Sequence, residues 1–247
     1  MDAPQVTVVV PVLNEEGTLE ETLRSLRAQT WRDFELLVVD NGSTDRSPQI
    51  AARFADRVIV EPKRGALPAM HRGFSEARGA FVVGADADTV YPPRWLERMV
   101  GELRREGTVA VYGPMGFRES GRVRRVLEAG GYCVLAWLSL LCRVHLCGAA
   151  NMGMRREAYF AVGGYPPLEE RASPDFRLAR LLERVGRVRF VPTIPCYTSN
   201  RRFARLGLVR GGLVAFRYWL DVATGWDRIP GPRYWTDPPG SREPRRR

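Results

Sequence analysis

From Val6 to Ala85, short apolar runs rich in β-branched residues alternate with stretches whose apolar positions recur every three or four residues. The pattern predicts strands over residues 6–10, 35–39, 58–60 and 80–85, with helices over 18–29, 47–55 and 66–77 between them. In the first helix Leu19, Leu23 and Leu26 share one face, and Thr18 and Glu21 have the spacing of a capping box. A β-α-β-α-β order with short connections implies an α/β fold with a mostly parallel central sheet and helices on both faces. In such sheets ligands bind where the strands end at their carboxyl side.

Three polar clusters fall at those ends: Pro11-Val12-Leu13-Asn14-Glu15, Asp40-Asn41-Gly42-Ser43-Thr44-Asp45, and Asp86-Ala87-Asp88. Each has a local explanation. Asn14 and Ser43 suit helix caps, Gly42 suits a turn, and Asp45 suits a helix N-terminus. Their shared placement predicts one crevice lined by all three. Asp86 and Asp88 read either as polar residues that end a strand or as oxygen ligands for a hard divalent cation, which can in turn hold a diphosphate. Neither a G-x-G-x-x-G fingerprint nor a Walker loop is present, so the ordinary dinucleotide and ATP readings lose their main support.

Composition narrows the setting. A chain of 247 residues, 45% hydrophobic, can bury one substantial core. Cys133, Cys142, Cys147 and Cys196 lack C-x-x-C spacing, and His71 and His145 lie far apart, so neither a zinc site nor a disulfide framework is indicated. With no signal-like N-terminus, the expectation is a cytoplasmic protein. Lys63 is the single lysine among 38 basic residues, which face 28 acidic ones. The excess is concentrated at the end of the chain, with eleven arginines against four acids from Ser199 onward.

The residues Val6 to Glu16, then Leu37-Val38-Val39-Asp40-Asn41-Gly42-Ser43-Thr44-Asp45, then Asp86-Ala87-Asp88, resemble the family 2 glycosyltransferases with a GT-A (Rossmann-like) fold. Gly65, Ala69, Gly73, Ala77 and Gly79 match the family's small-residue pattern, although His71 stands where Asn is usual. Gly163-Gly164-Tyr165 and Ser173-Pro174-Asp175-Phe176-Arg177-Leu178 resemble its later blocks, with Pro174 replacing a Glu. The resemblance spans residues 5–205. It implies a nucleotide-sugar donor lying across the strand ends near Pro11, Leu13, Glu15, Asp40, Asn41 and Arg64. It also implies that Asp86 approaches the nucleoside and shares with Asp88 a Mg2+ or Mn2+ ion, that Arg201 and Arg202 approach the diphosphate, and that Asp175 is the general base of an inverting transfer. The family's commoner donor nucleotide is UDP, with GDP as the alternative.

The acceptor is less legible. Residues 129–142, apolar and flanked by Arg124, Arg125 and Arg143, are too few for a membrane span and read equally as a buried core helix or an interfacial one. Residues 202–222 carry apolar residues at helical spacing among arginines, a basic amphipathic pattern suited either to packing on the body or to an anionic membrane surface. The chain thus divides into a catalytic-type domain over 5–205, an amphipathic extension over 206–227 and a Pro/Arg-rich tail over 228–247. The expected partners are a donor nucleotide sugar and a saccharide or lipid-linked acceptor, with no nucleic acid, for a cytoplasmic protein that is either free or peripheral on an anionic surface at the inner face of the cell membrane. Two other classes fit less of the pattern: a basic membrane- or phosphate-binding module on a degenerate core, and a nucleotidyltransferase, for which residues 11–17 lack a glycine-rich basic loop.

Overall fold

The computed structural model describes residues 3–165, 174–201 and 208–224. Its first half follows the expected alternation: β1 (Val6–Val12), α1 (Leu19–Arg27), β2 (Phe34–Asp40), α2 (Ser47–Phe54), β3 (Arg57–Val60), α3 (Ala66–Glu76) and β4 (Phe81–Gly84). Then come β5 (Thr89–Val90), α4 (Trp95–Leu103), β6 (Thr108–Tyr112), β7 (Met115–Phe117) and α5 (Arg122–Leu141). A 3-10 turn, Ala149–Asn151, leads into β8 (Met152–Arg155) and α6 (Arg156–Ala161). The described chain closes with α7 (Pro174–Leu182), β9 (Arg187–Phe190), β10 (Cys196–Thr198) and α8 (Leu208–Thr224).

Seven strands form the main sheet in the order β3-β2-β1-β4-β8-β6-β9. β1, β2, β3 and β4 run parallel, β9 runs parallel to β6, and β8 alone is antiparallel to both neighbours. A small sheet, β5-β10-β7, stands beside it. The reversal of β8 brings the segment before that strand, not the one after it, to the carboxyl edge of its parallel neighbours.

Buried side chains pack on both faces of the sheet, as the doubly covered arrangement requires. Leu19, Leu23 and Leu26 of α1 are fully buried against one face, each worth about 1.5–3 kcal/mol of apolar burial. On the other face Gly73 lets α3 lie directly on β1, since a Cβ there would stand 2.1 Å from Val9 Cγ1. The capping box does not form. Thr18 makes no side-chain cap bond; its hydroxyl donates instead to Glu15 Oε2 (2.9 Å) and to the Ala87 carbonyl (3.2 Å), while Glu21 pairs with Arg118. A hydroxyl with tertiary acceptors in reach is used to tie the chain after β1 to the chain after β4.

The apolar segment expected at 129–142 is the second half of a longer helix, α5. Its contact with the body runs through Glu128, Tyr132, Ala136 and Ser139. Val134, Leu135, Trp137 and Leu138 are exposed, so the buried-core reading of this segment is overturned. α8 covers residues within the expected amphipathic stretch, whereas Arg202 and the tail over 228–247 lie outside the described residues.

Candidate active site

The loops after β1 and β2 are laced together by their own polar side chains. Asn14, with φ +54°, accepts the Thr44 N–H on Oδ1 (2.8 Å), and its own N–H donates to Ser43 Oγ (3.1 Å). Glu15 N–H donates to Ser47 Oγ, and Asp45 accepts from the N–H groups of Glu16 and Ser47. Asn14 and Ser43 therefore cap no helix; they join two loops, and only Asp45 serves a helix start. Gly42 makes its turn at φ +84°. Asp40, almost fully buried, accepts the Ser43 N–H at 3.2 Å and sits opposite Val12 in the β1–β2 register, beside Pro11 and Leu13.

Asn41 works in the opposite direction. Its amide donates to the carbonyls of Glu61 and Lys63 (2.8 Å each), and its Oδ1 accepts the Gly65 N–H (2.7 Å). Three backbone groups are held by one buried side chain, which fixes the loop carrying the exposed Arg64.

At the end of β4, Asp86 and Asp88 occupy different surroundings. The Asp86 N–H donates to the phenol oxygen of Tyr91 (2.9 Å), whose hydroxyl donates to the Ala150 carbonyl (3.0 Å). Tyr91 is fully enclosed, and burial, reinforced by neighbouring Cys196 and Asp86, pushes its phenol up so that it stays neutral. Asp88 Oδ1 accepts from Thr198 Oγ1 (3.3 Å), and its Oδ2 lies 2.9 Å from Arg201 Nη2. That same nitrogen reaches Glu15 Oε1 and Oε2 at 2.9 and 2.7 Å. One guanidinium thus bridges carboxylates from the β1 and β4 ends.

Asp175 opens α7. Its Oδ1 accepts the Tyr165 hydroxyl (3.1 Å), and Cys147 Sγ donates to its carbonyl (3.3 Å). Loss of hydration raises its carboxyl from the ordinary 3.8 to about 6, against the lowering effect of the Tyr165 and Ala149 hydrogen bonds. The two glycines before Tyr165 have φ +83° and +74°, a turn that ordinary residues adopt only with strain. It delivers the Tyr165 ring to Phe74, with centroids 6.4 Å apart, and its main-chain N–H to the Tyr159 hydroxyl (3.3 Å). His71 shares a 2.6 Å hydrogen bond with that hydroxyl.

The 3-10 turn joins these groups: Ala150 receives the Tyr91 bond from the Asp86 side, and its neighbour Ala149 bonds to Asp175. Asp40, Asp86, Asp88 and Asp175 therefore share the carboxyl edge of the sheet, with Pro11, Leu13, Glu15 and Arg201 around them. The sequence assigns no role of their own to Tyr91 or Thr198, because neither residue signals a bond made 59 or 110 residues away.

Among the described residues no group of three or more His, Cys, Asp or Glu side chains could hold a metal ion. The donor set is still suited to Mg2+ or Mn2+, which are commonly bound by one or two carboxylates with phosphates and water completing the shell. Asp88 is paired with the Arg201 guanidinium at 2.9 Å.

Comparison with known proteins places this geometry. The archaeal glycosyltransferase AglE of Haloferax volcanii is 26% identical over 171 residues, 66% of this chain and 56% of that protein. The undecaprenyl-phosphate 4-deoxy-4-formamido-L-arabinose transferase of Pseudomonas aeruginosa is 39% identical over 105 residues, 38% of this chain and 31% of its own length. The chain therefore spans about half or less of these relatives. Among solved structures, the mannosyltransferase PcManGT of Pyrobaculum calidifontis, in complex with GDP-Man and Mn2+, superposes with a TM-score of 0.66 at 25% identity, covering 88% of this chain and 65% of that one. Glucosyl-3-phosphoglycerate synthase of Mycobacterium tuberculosis, with Mn2+, UDP and glucosyl-3-phosphoglycerate, shares the fold with a TM-score of 0.60 at 22% identity, covering 90% and 80%. The model of the family described as glycosyl transferase family 2 matches residues 7–162, and with the GT-A architecture around it the chain belongs to that family.

Proposed function

We propose that this protein is a metal-dependent, inverting glycosyltransferase that moves a sugar from a nucleoside diphosphate, UDP in preference to GDP, to an acceptor hydroxyl or lipid phosphate. The observation that carries the reading is the convergence of Asp40, Asp88 and a half-buried Asp175 on one sheet edge, with Arg201 between the strand ends. Pro11 and Leu13 would wall the base, and Asp40 would accept one of its N–H groups. Asn41 would hold the Arg64 loop against the nucleotide, and Glu15 would orient Arg201 toward the diphosphate, with Arg202 next in sequence.

A Mg2+ or Mn2+ ion held by Asp88, with Asp86 beside it, would supply positive charge to the departing nucleoside diphosphate. Asp175 would take the proton of an acceptor hydroxyl as that oxygen attacks the anomeric carbon from the face opposite the leaving group; an ionised lipid phosphate would need no such transfer. A carboxyl near 6 is well matched to this task, because it is ionised at neutral pH and still basic enough to hold a proton. The undecaprenyl-phosphate transferase relative supports a lipid-phosphate acceptor, which would set the enzyme to work on the inner face of the membrane.

A thermal-shift screen of UDP- and GDP-sugars, with and without Mn2+, tests the donor. We expect one donor to stabilise the protein only with the metal, and metal-dependent release of its nucleoside diphosphate to vanish in Asp88→Ala. Donor binding with no release under any acceptor would favour a catalytically silent binding module, and release undiminished in Asp88→Ala would refute the metal assignment.

A further inference from the structure

The exposed side of α5 carries none of the site residues, yet it presents a long run of exposed apolar side chains. Val123, Leu127 and Leu141 are 76%, 69% and 81% exposed, and Val126, Val134, Leu135, Trp137 and Leu138 are exposed with them. These positions run along the whole helix, about 30 Å at the rise of an α-helix. Leu213, Phe216 and Leu220 of α8 are likewise exposed, and that helix is fastened to α5 by a 2.7 Å bond from Trp219 Nε1 to Ser139 Oγ.

Among the described residues, the two helices themselves expose basic charge and no acid. Glu128, the single acid of α5, turns inward to the Phe117 N–H, the Ser120 hydroxyl and Arg124. Asp221, the single acid of α8, is buried against Arg177 at 2.7 Å. Arg124, Arg143 and Arg217 are exposed on or beside the same helices. A second copy of the chain would bring the same arginines to such a contact, whereas an anionic bilayer offers an apolar interior and negative headgroups together. No helix among the described residues is long and apolar enough to cross a membrane, which leaves lying on the surface.

We infer that α5 and α8 form a docking face that lies in the interface of an anionic lipid bilayer. Its position relative to the site rests on the transferase reading. The start of α5 is tied through Glu128 to β7, whose partner β10 carries Thr198 to Asp88. Beyond its end, Cys147 touches Asp175. A headgroup-level acceptor reached along this helix would pass from the bilayer toward both acids.

The test is co-sedimentation of the full chain with vesicles of phosphatidylcholine alone and of phosphatidylcholine with phosphatidylglycerol, at low and high salt. The variants are Leu135→Glu/Leu138→Glu and Arg124→Gln/Arg217→Gln, with circular dichroism melts to verify folding. Expected are binding to the anionic vesicles only, a loss of about tenfold or more in the first variant, and a smaller loss in the second that disappears at high salt. Binding that is absent, indifferent to lipid charge, or unchanged in the folded Leu135→Glu/Leu138→Glu variant would overturn the proposal. So would sedimentation of the wild type as a dimer that this variant dissociates, or vesicle binding that appears only after residues 225–247 are removed. Donor binding is measured separately by thermal shift: its failure with vesicle binding intact would remove the transferase reading and leave the docking face standing.

Discussion

Arg201 Nη2 lies 2.9 Å from Asp88 Oδ2 and 2.7 Å from Glu15 Oε2, so a side-chain cation stands against the carboxylate proposed to hold the metal ion. The pair is partly exposed and its worth is modest, roughly 0.2–1 kcal/mol. Arg201→Ala should therefore bind Mn2+ about twofold to fivefold more tightly in the absence of nucleotide, read by electron paramagnetic resonance of the free ion. The same variant should bind the Mn2+–UDP pair about tenfold more weakly, because a charge-assisted contact to the diphosphate is gone. Equal changes of one sign in both titrations would show that Arg201 does not exchange partners.

As the proposed base, Asp175 would link activity to pH. With its carboxyl at about 6, transfer to an acceptor hydroxyl should rise with pH through that value and level off above it. Asp175→Asn should lower transfer by about 10²–10⁴-fold while donor binding is retained. Stability moves the other way. Because the folded group titrates above its ordinary 3.8, the folded state binds more protons between about 4 and 6, and stability falls as pH rises through that window. At pH 7 Asp175→Asn should consequently raise the melting temperature, by an amount equivalent to about 1–3 kcal/mol, and flatten its dependence on pH below 6.

Tyr165→Phe removes the hydroxyl that favours the ionised form of Asp175. The acidic limb of the pH–rate profile should move to higher pH, with the plateau rate less affected than the midpoint. A profile that keeps its midpoint would mean that Tyr165 only packs, through its stacking on Phe74 and its edge against Tyr159.

Asn41→Ala strands two carbonyls and one N–H inside the loop at residues 61–65. We expect a loss of about 2–3 kcal/mol, or roughly 5–10 °C in melting temperature, by thermal denaturation. Donor affinity should fall with it, since Arg64 is carried by that loop. Asn41→Asp should not restore the wild type, because a carboxylate accepts but cannot donate to Glu61 and Lys63.

Much of the first half was legible because each strand there is a β-branched run and each helix has a clear apolar face. Val6, Val8, Leu36 and Val38 are buried as their continuous apolar runs imply, and Leu23 as its helical spacing does. The reversal of β8 was not legible, because Met152-Gly153-Met154-Arg155 has no β-branched residue and strand direction is a property of its neighbours. Thr18 and Glu21 misled because a capping box is a local pattern, and both side chains found better partners far along the chain. The acids of the site were visible as residues, but not their couplings. Nothing in the order of the chain announces that Arg201 reaches Glu15, or that a main-chain turn at Ala149 connects the surroundings of Asp86 to those of Asp175.

The backward course of β8 also separates two jobs. Loops that follow β1, β2 and β4 are short and interlaced, so the half of the crevice proposed for the nucleotide would tolerate little change in length. The opposite half is supplied by chain that precedes β8, including all of α5, and that stretch is fastened at β7 and again at the 3-10 turn. No strand of the main sheet lies between these anchors, so on the proposed function the 118–148 stretch would be where one scaffold acquires different acceptors.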